Sequence, residues 1–382
     1  MLSWNLHHRE MKIAYCIAGT CHSGGMERVL ALKANWLAAH GHEVVIVTTD
    51  QRGEQPFFPL DPRIRCIDLG INYEANNGKS FANKLIHYPG KQRRHRRRLT
   101  QLLAEERPDV TVSMFCNDVS FIAEIPFGGR KVLEIHFSKF KRLQYGRKGL
   151  WRLADRWQTR QDEKRVKRFH RFVVLTEQDR QFWGNLPNIA VIPNPNSYEP
   201  TALAPLTSHR AIAVGRYTHQ KGFDRLIEAW QVIAAKAPDW KLSIIGDGVD
   251  RAKLQRMIAE RGLTGCVVLR QPTKAIDKEY LGASLLLMTS RYEGFPLALA
   301  EAQSFGVPAV SVDCKCGPRE IIRDGVTGFV VAEGNTEAFA EHALQLMTDD
   351  ALRHRMGEAA AVAARRFTID AIMAQWLSVF LA

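Results

Sequence analysis

No stretch of this chain stays apolar for anything near the ~20 residues that cross a bilayer, and residues 1–10 lack the apolar centre of a signal peptide. The first ten residues read as an N-terminal extension, with Met11 as the natural start, and the remainder as a cytoplasmic protein. Cysteine is sparse and odd in number, seven in 382 residues, which implies no disulfide framework. Cys314-x-Cys316 is too tight for a zinc knuckle and has no second pair. The thiols are therefore read as reduced, with no metal site among them. Two further motifs are missing. There is no Asp-x-Asp, the usual device for holding a divalent ion against a diphosphate, and no G-x-G-x-x-G dinucleotide fingerprint.

Surplus acid is also missing from the first half. Residues 1–187 hold 32 Lys and Arg against 19 Asp and Glu, while the rest holds 21 of each, so the whole net charge of +13 sits in the first half. That half faces, or tolerates, something anionic.

The length suits two domains. Apolar strands are expected at 11–18, 43–48, 64–69, 109–114, 131–136 and 171–175, with a helix at 26–39 and a polar loop over 70–90. A Pro-, Asn- and Ser-rich linker runs from 193 to 205. Strands then recur near 210–214, 241–246, 266–270, 284–289, 308–312 and 327–332, with helices near 222–236, 249–261, 295–304 and 335–348. Alternating strands and helices predict two doubly wound α/β domains in series. Such sheets bind ligands outside the carboxyl ends of their strands, so the chemistry is expected in a cleft between them.

The densest constellation is Ser290-Arg291-Tyr292-Glu293-Gly294-Phe295-Pro296-Leu297-Ala298-Leu299-Ala300-Glu301. A buried strand ends, a glycine turns the chain, and Pro296 suits a helix start. Free N–H groups there can face a phosphate or sugar oxygen. Glu293 and Glu301 can line one cleft, and a carboxylate can accept both hydroxyls of a ribose; the plain alternative is a capped helix with solvated glutamates. After the 210–214 strand, Gly215-Arg216-Tyr217-Thr218-His219-Gln220-Lys221-Gly222 sets Arg216 and Lys221 near a strand end. Two fixed cations can stabilise a departing diphosphate without a metal; alternatively they are two surface cations on a loop. Gly24 and Gly25, between the first strand and first helix, let backbone approach an anion, or simply make a tight turn. Gly246-Asp247-Gly248 and Arg270 follow two further strands, where glycine permits close packing of a flat base. A strand-to-helix turn is the alternative for both. His136 closes the 131–136 strand and is either a donor-sugar contact or a structural histidine.

Taken together, these segments resemble the glycosyltransferase family 4 enzymes over nearly the whole chain, most densely from Gly215 to Gly334. The resemblance implies the GT-B fold, with two Rossmann-like domains facing across a cleft: 11–192 on the acceptor side and 193–367 for the nucleotide sugar. A last helix over 368–382, bearing Trp376 and Phe380, would pack back on the first domain. It implies a retaining, metal-independent transfer with no cofactor beyond the nucleotide-sugar co-substrate. It further implies that Arg216 and Lys221 hold the diphosphate and Glu301 the ribose. Glu293 and His136 would contact the donor sugar, Gly24 and Gly25 form the N-terminal loop, and Gly246–Gly248 lie near the base. The backbones of Phe295, Leu297 and Ala298 would bind sugar or phosphate. The stretch from Cys316 through Gly317, Pro318, Arg319 and Glu320 to Ile322 also looks like enzymes that build bacterial surface polysaccharides and lipid-linked oligosaccharides. Those mostly use UDP-sugars; GDP-mannose users share the scaffold, and a non-catalytic sugar-binding scaffold is a further alternative.

Two basic stretches point to the acceptor. One is Lys91-Gln92-Arg93-Arg94-His95-Arg96-Arg97-Arg98. The other spans 139–171, where Leu150, Trp151, Leu153, Ala154 and Trp157 interleave with Arg147, Lys148, Arg152, Arg156 and Arg160. Such a helix can lie on an anionic membrane or hold a polyprenyl-diphosphate-linked glycan; alternatively its apolar stripe packs on the core. The expected partners are a nucleotide sugar, a glycan or lipid-linked acceptor and the inner face of the cytoplasmic membrane. Nucleic acid is not expected, because no RNA-binding module pattern accompanies the arginine run.

Overall fold

The computed structural model describes residues 10–76, 81–140 and 150–382. Among them, two wholly parallel sheets form. The first takes β1 (Lys12–Ile17), β2 (Glu43–Thr48), β3 (Arg65–Asp68), β4 (Val110–Ser113), β5 (Arg130–Glu134), β6 (Arg171–Val174) and β7 (Ile189–Val191), in the order β3-β2-β1-β4-β5-β6-β7. The second takes β8 (Arg210–Val214), β9 (Lys241–Ile245), β10 (Val267–Arg270), β11 (Leu285–Met288), β12 (Ala309–Val312) and β13 (Gly328–Val331), in the order β10-β9-β8-β11-β12-β13. Helices cover both faces, so central strands are apolar on both sides. In β1, Ile13, Tyr15 and Ile17 enter one core while Ala14 and Cys16 enter the other. In β11, Leu285 and Leu287 separate from Leu286 and Met288 in the same way.

Strand order reverses between β1 and β4 in the first sheet and between β8 and β11 in the second. A crevice opens at each reversal, beyond the strand ends. The glycine loop after β1, the Arg216 loop after β8 and the Glu293 loop after β11 all begin there.

The last helix (Ile369–Leu381) returns to the first sheet. Ile372, Met373, Trp376 and Phe380 share a core with Ile13, Tyr15 and Val112. Trp36 Nε1 donates to Asp370 at 2.6 Å and Arg130 donates to the Phe380 carbonyl at 2.6 Å. Where the chain passes between the halves it is also fixed: the Asn196 N–H donates to the Phe367 carbonyl at 2.6 Å, and its side-chain amide to the Ala300 carbonyl at 3.1 Å.

Two expectations are corrected and, third, one alternative is narrowed. Residues 70–90 are not one loop: a short 3-10 helix covers Tyr73–Asn76, and a helix runs Phe81–Glu106 with Pro89 inside it. The proline forfeits one hydrogen bond, but the Lys, Gln, Arg and Leu residues that follow are strong helix formers. β7 was not anticipated; it has only three residues, none fully buried. The third concerns the helix Leu150–Arg165. Its buried face carries Asp155, Thr159 and Asp162, whereas Leu153 is 60% and Trp157 58% exposed. For those two residues the apolar stripe does not pack on the core. Arg147, Lys148 and residues 1–9, like the side chains of Leu150, Trp151 and Ala154, lie outside what is described.

Candidate active site

Lys221 and Glu293 meet. The Lys221 Nζ lies 2.8 Å from Glu293 Oε1, and the carboxylate is nearly buried. Their two loops are stitched together. The Arg291 N–H donates to the Gln220 carbonyl at 2.8 Å, and the Gln220 amide donates to the Tyr292 carbonyl at 3.0 Å. The Arg291 guanidinium forks onto Asp224 at 2.9 and 2.8 Å and donates to the His219 carbonyl. Gly222 makes the turn after Lys221 possible: its φ is +64°, and a Cβ there would sit 2.1 Å from the Thr289 carbonyl. Site rigidity of this kind is what a charge-stabilising site needs.

Arg216 is exposed on the same loop, and no hydrogen bond or ion pair among the described residues ties down its guanidinium. Its charge is felt across the cleft by Glu27. Burial raises the Glu27 pKa, opposed by its own backbone N–H, His22, His136 and Arg216. Glu27 folds over the glycine pair: a Cβ on Gly24 would lie 2.1 Å from Glu27 Oε2. A Cβ on Gly25 would lie 3.3 Å from the Leu297 side chain, so the first helix (Gly25–Ala39) starts against the start of the Leu297–Ser304 helix. The N–H groups of Leu297 and Ala298 lie in that helix's first turn, where no intrahelical carbonyl can take them. The Phe295 side chain turns away into the core against Phe367.

Glu301 is buried within the same helix. Its Oε1 accepts from Arg28 Nη1 at 2.9 Å and its Oε2 from the Tyr280 hydroxyl at 2.8 Å. His136 sits at the end of β5, and its carbonyl would lie 2.7 Å from a Cβ on Gly294. The two halves thus touch backbone to backbone beside Glu293. The His136 Nε2 lies 3.1 Å from Glu134 Oε1 without the alignment of a hydrogen bond. Glu134 in turn receives the Lys33 ammonium on both oxygens, at 2.6 and 2.5 Å. Burial alone would raise the Glu134 pKa, but Lys33 and His136 prevail and hold it well below the usual carboxylate range. Trp376 of the last helix lies 3.9 Å from the Lys33 ammonium, ring face toward the charge.

The structure therefore gathers His136, Gly24, Gly25, Lys221, Glu293, Leu297 and Glu301 at the facing strand ends, with Arg216 on the rim. The Gly246-Asp247-Gly248 turn has a different use of its glycines. A Cβ on Gly246 would lie 1.9 Å from the Gly215 carbonyl, and one on Gly248 2.5 Å from the Tyr217 carbonyl. The space is filled by the protein's own backbone, which shapes the Arg216 loop. Asp247 lies 3.7 Å from Arg251, and Arg270 is paired with Glu279 at 2.6 Å. Sequence reasoning gave no role to Glu27, Arg28, Lys33 or Tyr280. Lys33 alone left a clear trace, a cation on the otherwise apolar face of Val29, Leu30, Ala34 and Leu37. Among the described residues no group of three His, Cys, Asp or Glu is arranged to hold a metal ion.

Comparison with known proteins bears on the family and the fold. The model for "Glycosyltransferase Family 4" matches residues 23–196, and that for "Glycosyl transferases group 1" matches residues 199–362. The amylovoran biosynthesis glycosyltransferase of Erwinia amylovora is 26% identical over 375 residues, 96% of this chain and 98% of that protein. The lipopolysaccharide 1,6-galactosyltransferase of Salmonella typhimurium is 33% identical over 162 residues, 41% of this chain and 45% of that protein. In fold, the chain is similar to TarM of S. aureus, solved with UDP and alpha-GlcNAc-glycerol. The TM-score is 0.79 at 17% identity, over 97% of this chain and 100% of that one. Two matched halves, two doubly wound sheets and a shared site between them lead to one conclusion: this chain is a GT-B glycosyltransferase of the family 4 kind.

Proposed function

We propose that the enzyme transfers a hexose or N-acetylhexosamine from a UDP-sugar to a glycan acceptor during bacterial surface polysaccharide or lipopolysaccharide assembly, with retention and without a metal. The observation that carries this reading is the Lys221–Glu293 pair, held 2.8 Å apart by two stitched loops at the strand-order reversal of the second sheet. On this reading, Arg216 and Lys221 receive the diphosphate, the Leu297 and Ala298 N–H groups face a sugar or phosphate oxygen, and Glu301 accepts the ribose diol. Glu293 and His136 contact the donor sugar. The acceptor oxygen bonds to the anomeric carbon as the bond to the phosphate oxygen breaks, on the same face. Its proton passes to the leaving phosphate, so no protein nucleophile is required. Likeness in fold to TarM, whose structure holds UDP, supports the donor, and the names of the amylovoran and lipopolysaccharide relatives support the pathway.

The acceptor is proposed to be lipid-linked and met at the inner face of the cytoplasmic membrane. Support comes from exposed Leu153 and Trp157 beside Arg152, Arg156 and Arg160, all exposed as well. No helix among the described residues is long and apolar enough to cross a membrane. The test is a thermal-shift panel of UDP-, GDP- and ADP-sugars followed by turnover with the stabilising donor. A UDP-sugar should stabilise the protein, chelator should leave turnover unchanged, and Lys221→Ala should lower turnover roughly 100- to 1,000-fold. Stabilisation by a GDP-sugar alone would reassign the donor, and near-normal turnover of the Lys221 variant would remove the diphosphate assignment.

A further inference from the structure

Glu301 is a buried carboxylate, 3% exposed, and such a group is costly unless its oxygens are satisfied. Two residues satisfy it from opposite sides. Tyr280 belongs to the second half, is fully buried, and is fixed by stacking on Phe305 with ring centroids 5.5 Å apart. Its hydroxyl donates to Oε2 at 2.8 Å. Burial and the neighbouring Glu301 charge push its pKa well above the ordinary tyrosine value, so the phenol keeps its proton. Arg28 belongs to the first half. It lies in the first turn after the glycine pair, with its N–H donating to the Gly24 carbonyl at 3.1 Å. Its guanidinium lies over the Phe58 ring and reaches Glu301 Oε1 through a single nitrogen at 2.9 Å.

The count of lone pairs gives this arrangement its meaning. An ionised carboxylate offers about four acceptor sites, two on each oxygen. A forked guanidinium would cover one site on both oxygens from one side. Here Arg28 takes one site on Oε1 and Tyr280 one on Oε2. One site is left on each oxygen, the number a vicinal diol requires. We infer that Arg28 and Tyr280 are positioning residues that aim Glu301 at the ribose, so that recognition of the nucleotide in the second half depends on a side chain carried by the first. This rests on the reading of Glu301 as the ribose acceptor. It follows that donor affinity is sensitive to the apposition of the two halves: if the first helix withdraws, Glu301 keeps only Tyr280.

Calorimetric titration with UDP and 2′-deoxy-UDP, and in parallel with GDP and 2′-deoxy-GDP, tests the inference in the whole 382-residue chain. Wild type should prefer the ribose form. Arg28→Gln and Tyr280→Phe should each weaken the ribose form about tenfold, the loss of one hydrogen bond to a charged group, and leave the deoxy form unchanged. Arg28→Lys should restore part of the loss. Equal weakening of both forms in the Arg28 and Tyr280 variants would overturn the inference, because a merely structural contact does not discriminate a hydroxyl. Glu301→Gln separates the two levels. If it abolishes the preference while Arg28→Gln and Tyr280→Phe retain it, the positioning role is wrong and the ribose reading stands. If Glu301→Gln retains the preference, or wild type binds no nucleotide, the ribose reading falls and the inference with it. Should Tyr280→Phe fail to fold, Arg28→Gln and Arg28→Lys, changed at a part-exposed side chain, still decide the matter.

Discussion

The two halves share one strand order yet use charge in opposite ways. The order 3-2-1-4-5-6 describes the first six strands of one sheet and, renumbered from β8, the six of the other. In the second half the charges around the strand ends are paired except for Arg216: Lys221 with Glu293, Arg291 with Asp224, Arg270 with Glu279. That half is neutral in sum, and the three cations named are held in fixed places. In the first half one pair, Lys33 with Glu134, is fully buried. Many of the remaining cations stand on the surface, and among the described residues Arg93, Arg94 and Arg97 have no ion-pair partner. A fixed pair gives a specific local potential, whereas loose surface cations give a broad field that salt screens. The same fold thus carries fixed local charge on one side and a diffuse positive field on the other.

The buried pair offers the hardest test of this contrast. Lys33→Met leaves Glu134 charged in the core and should cost about 3–5 kcal/mol in denaturant unfolding. Adding Glu134→Gln should return most of that loss. Arg291→Met breaks a part-exposed pair of the second half and should cost about 1 kcal/mol. Equal losses would erase the distinction.

A smaller effect is expected from His95, buried in the first half against Tyr73 and Phe121. Burial lowers its pKa to about 4. Below the ordinary value near 6.5 the unfolded chain takes the proton first, so stability falls as pH drops from about 6.5 to about 4. Asp118 and Asp179, whose pKa values burial raises to about 6, bend the curve the other way in the same window. The difference between wild type and His95→Gln isolates the histidine and should reach on the order of 2 to 3 kcal/mol at pH 4. A flat difference would mean that His95 is protonated within the fold.

The smallest change is expected at the surface. Arg94→Gln should weaken binding to anionic vesicles by about 1 kcal/mol, and less as salt rises, with turnover on a soluble acceptor unaffected. No vesicle flotation by wild type at low salt would take away the membrane reading of the first half.

Much of this organisation was legible before the fold. The central strands were found within a residue or two, because a parallel sheet covered on both faces writes them as apolar runs such as Leu285–Met288. The two glutamates could be placed near one cleft because they share a segment. Arg28 and Glu301, 273 residues apart, could not be joined: nothing in spacing along a chain records which strand ends will face each other. The Gly246 turn misled for a related reason. Glycine signals a close approach but not of what, and here the neighbour was the Gly215 backbone. The helix after residue 80 was hidden by Asn76-Asn77-Gly78 and Pro89, local breakers that the exposed, arginine-rich sequence following them outweighs.

The returning helix has a consequence for how the protein is made. Trp376 and Phe380 complete the core beneath β1, whose residues leave the ribosome before the second half does. Between Ile192 and Phe380 the ribosome must add the whole second half, roughly 10 to 40 seconds of synthesis at ordinary rates. Throughout that interval the first sheet lacks the aromatic cover over the Lys33 ammonium. The second sheet has its last strand in place by Val331, well before then. The half encoded first is therefore the half that finishes last, and it stays open to chaperones, or to aggregation, until the final helix docks.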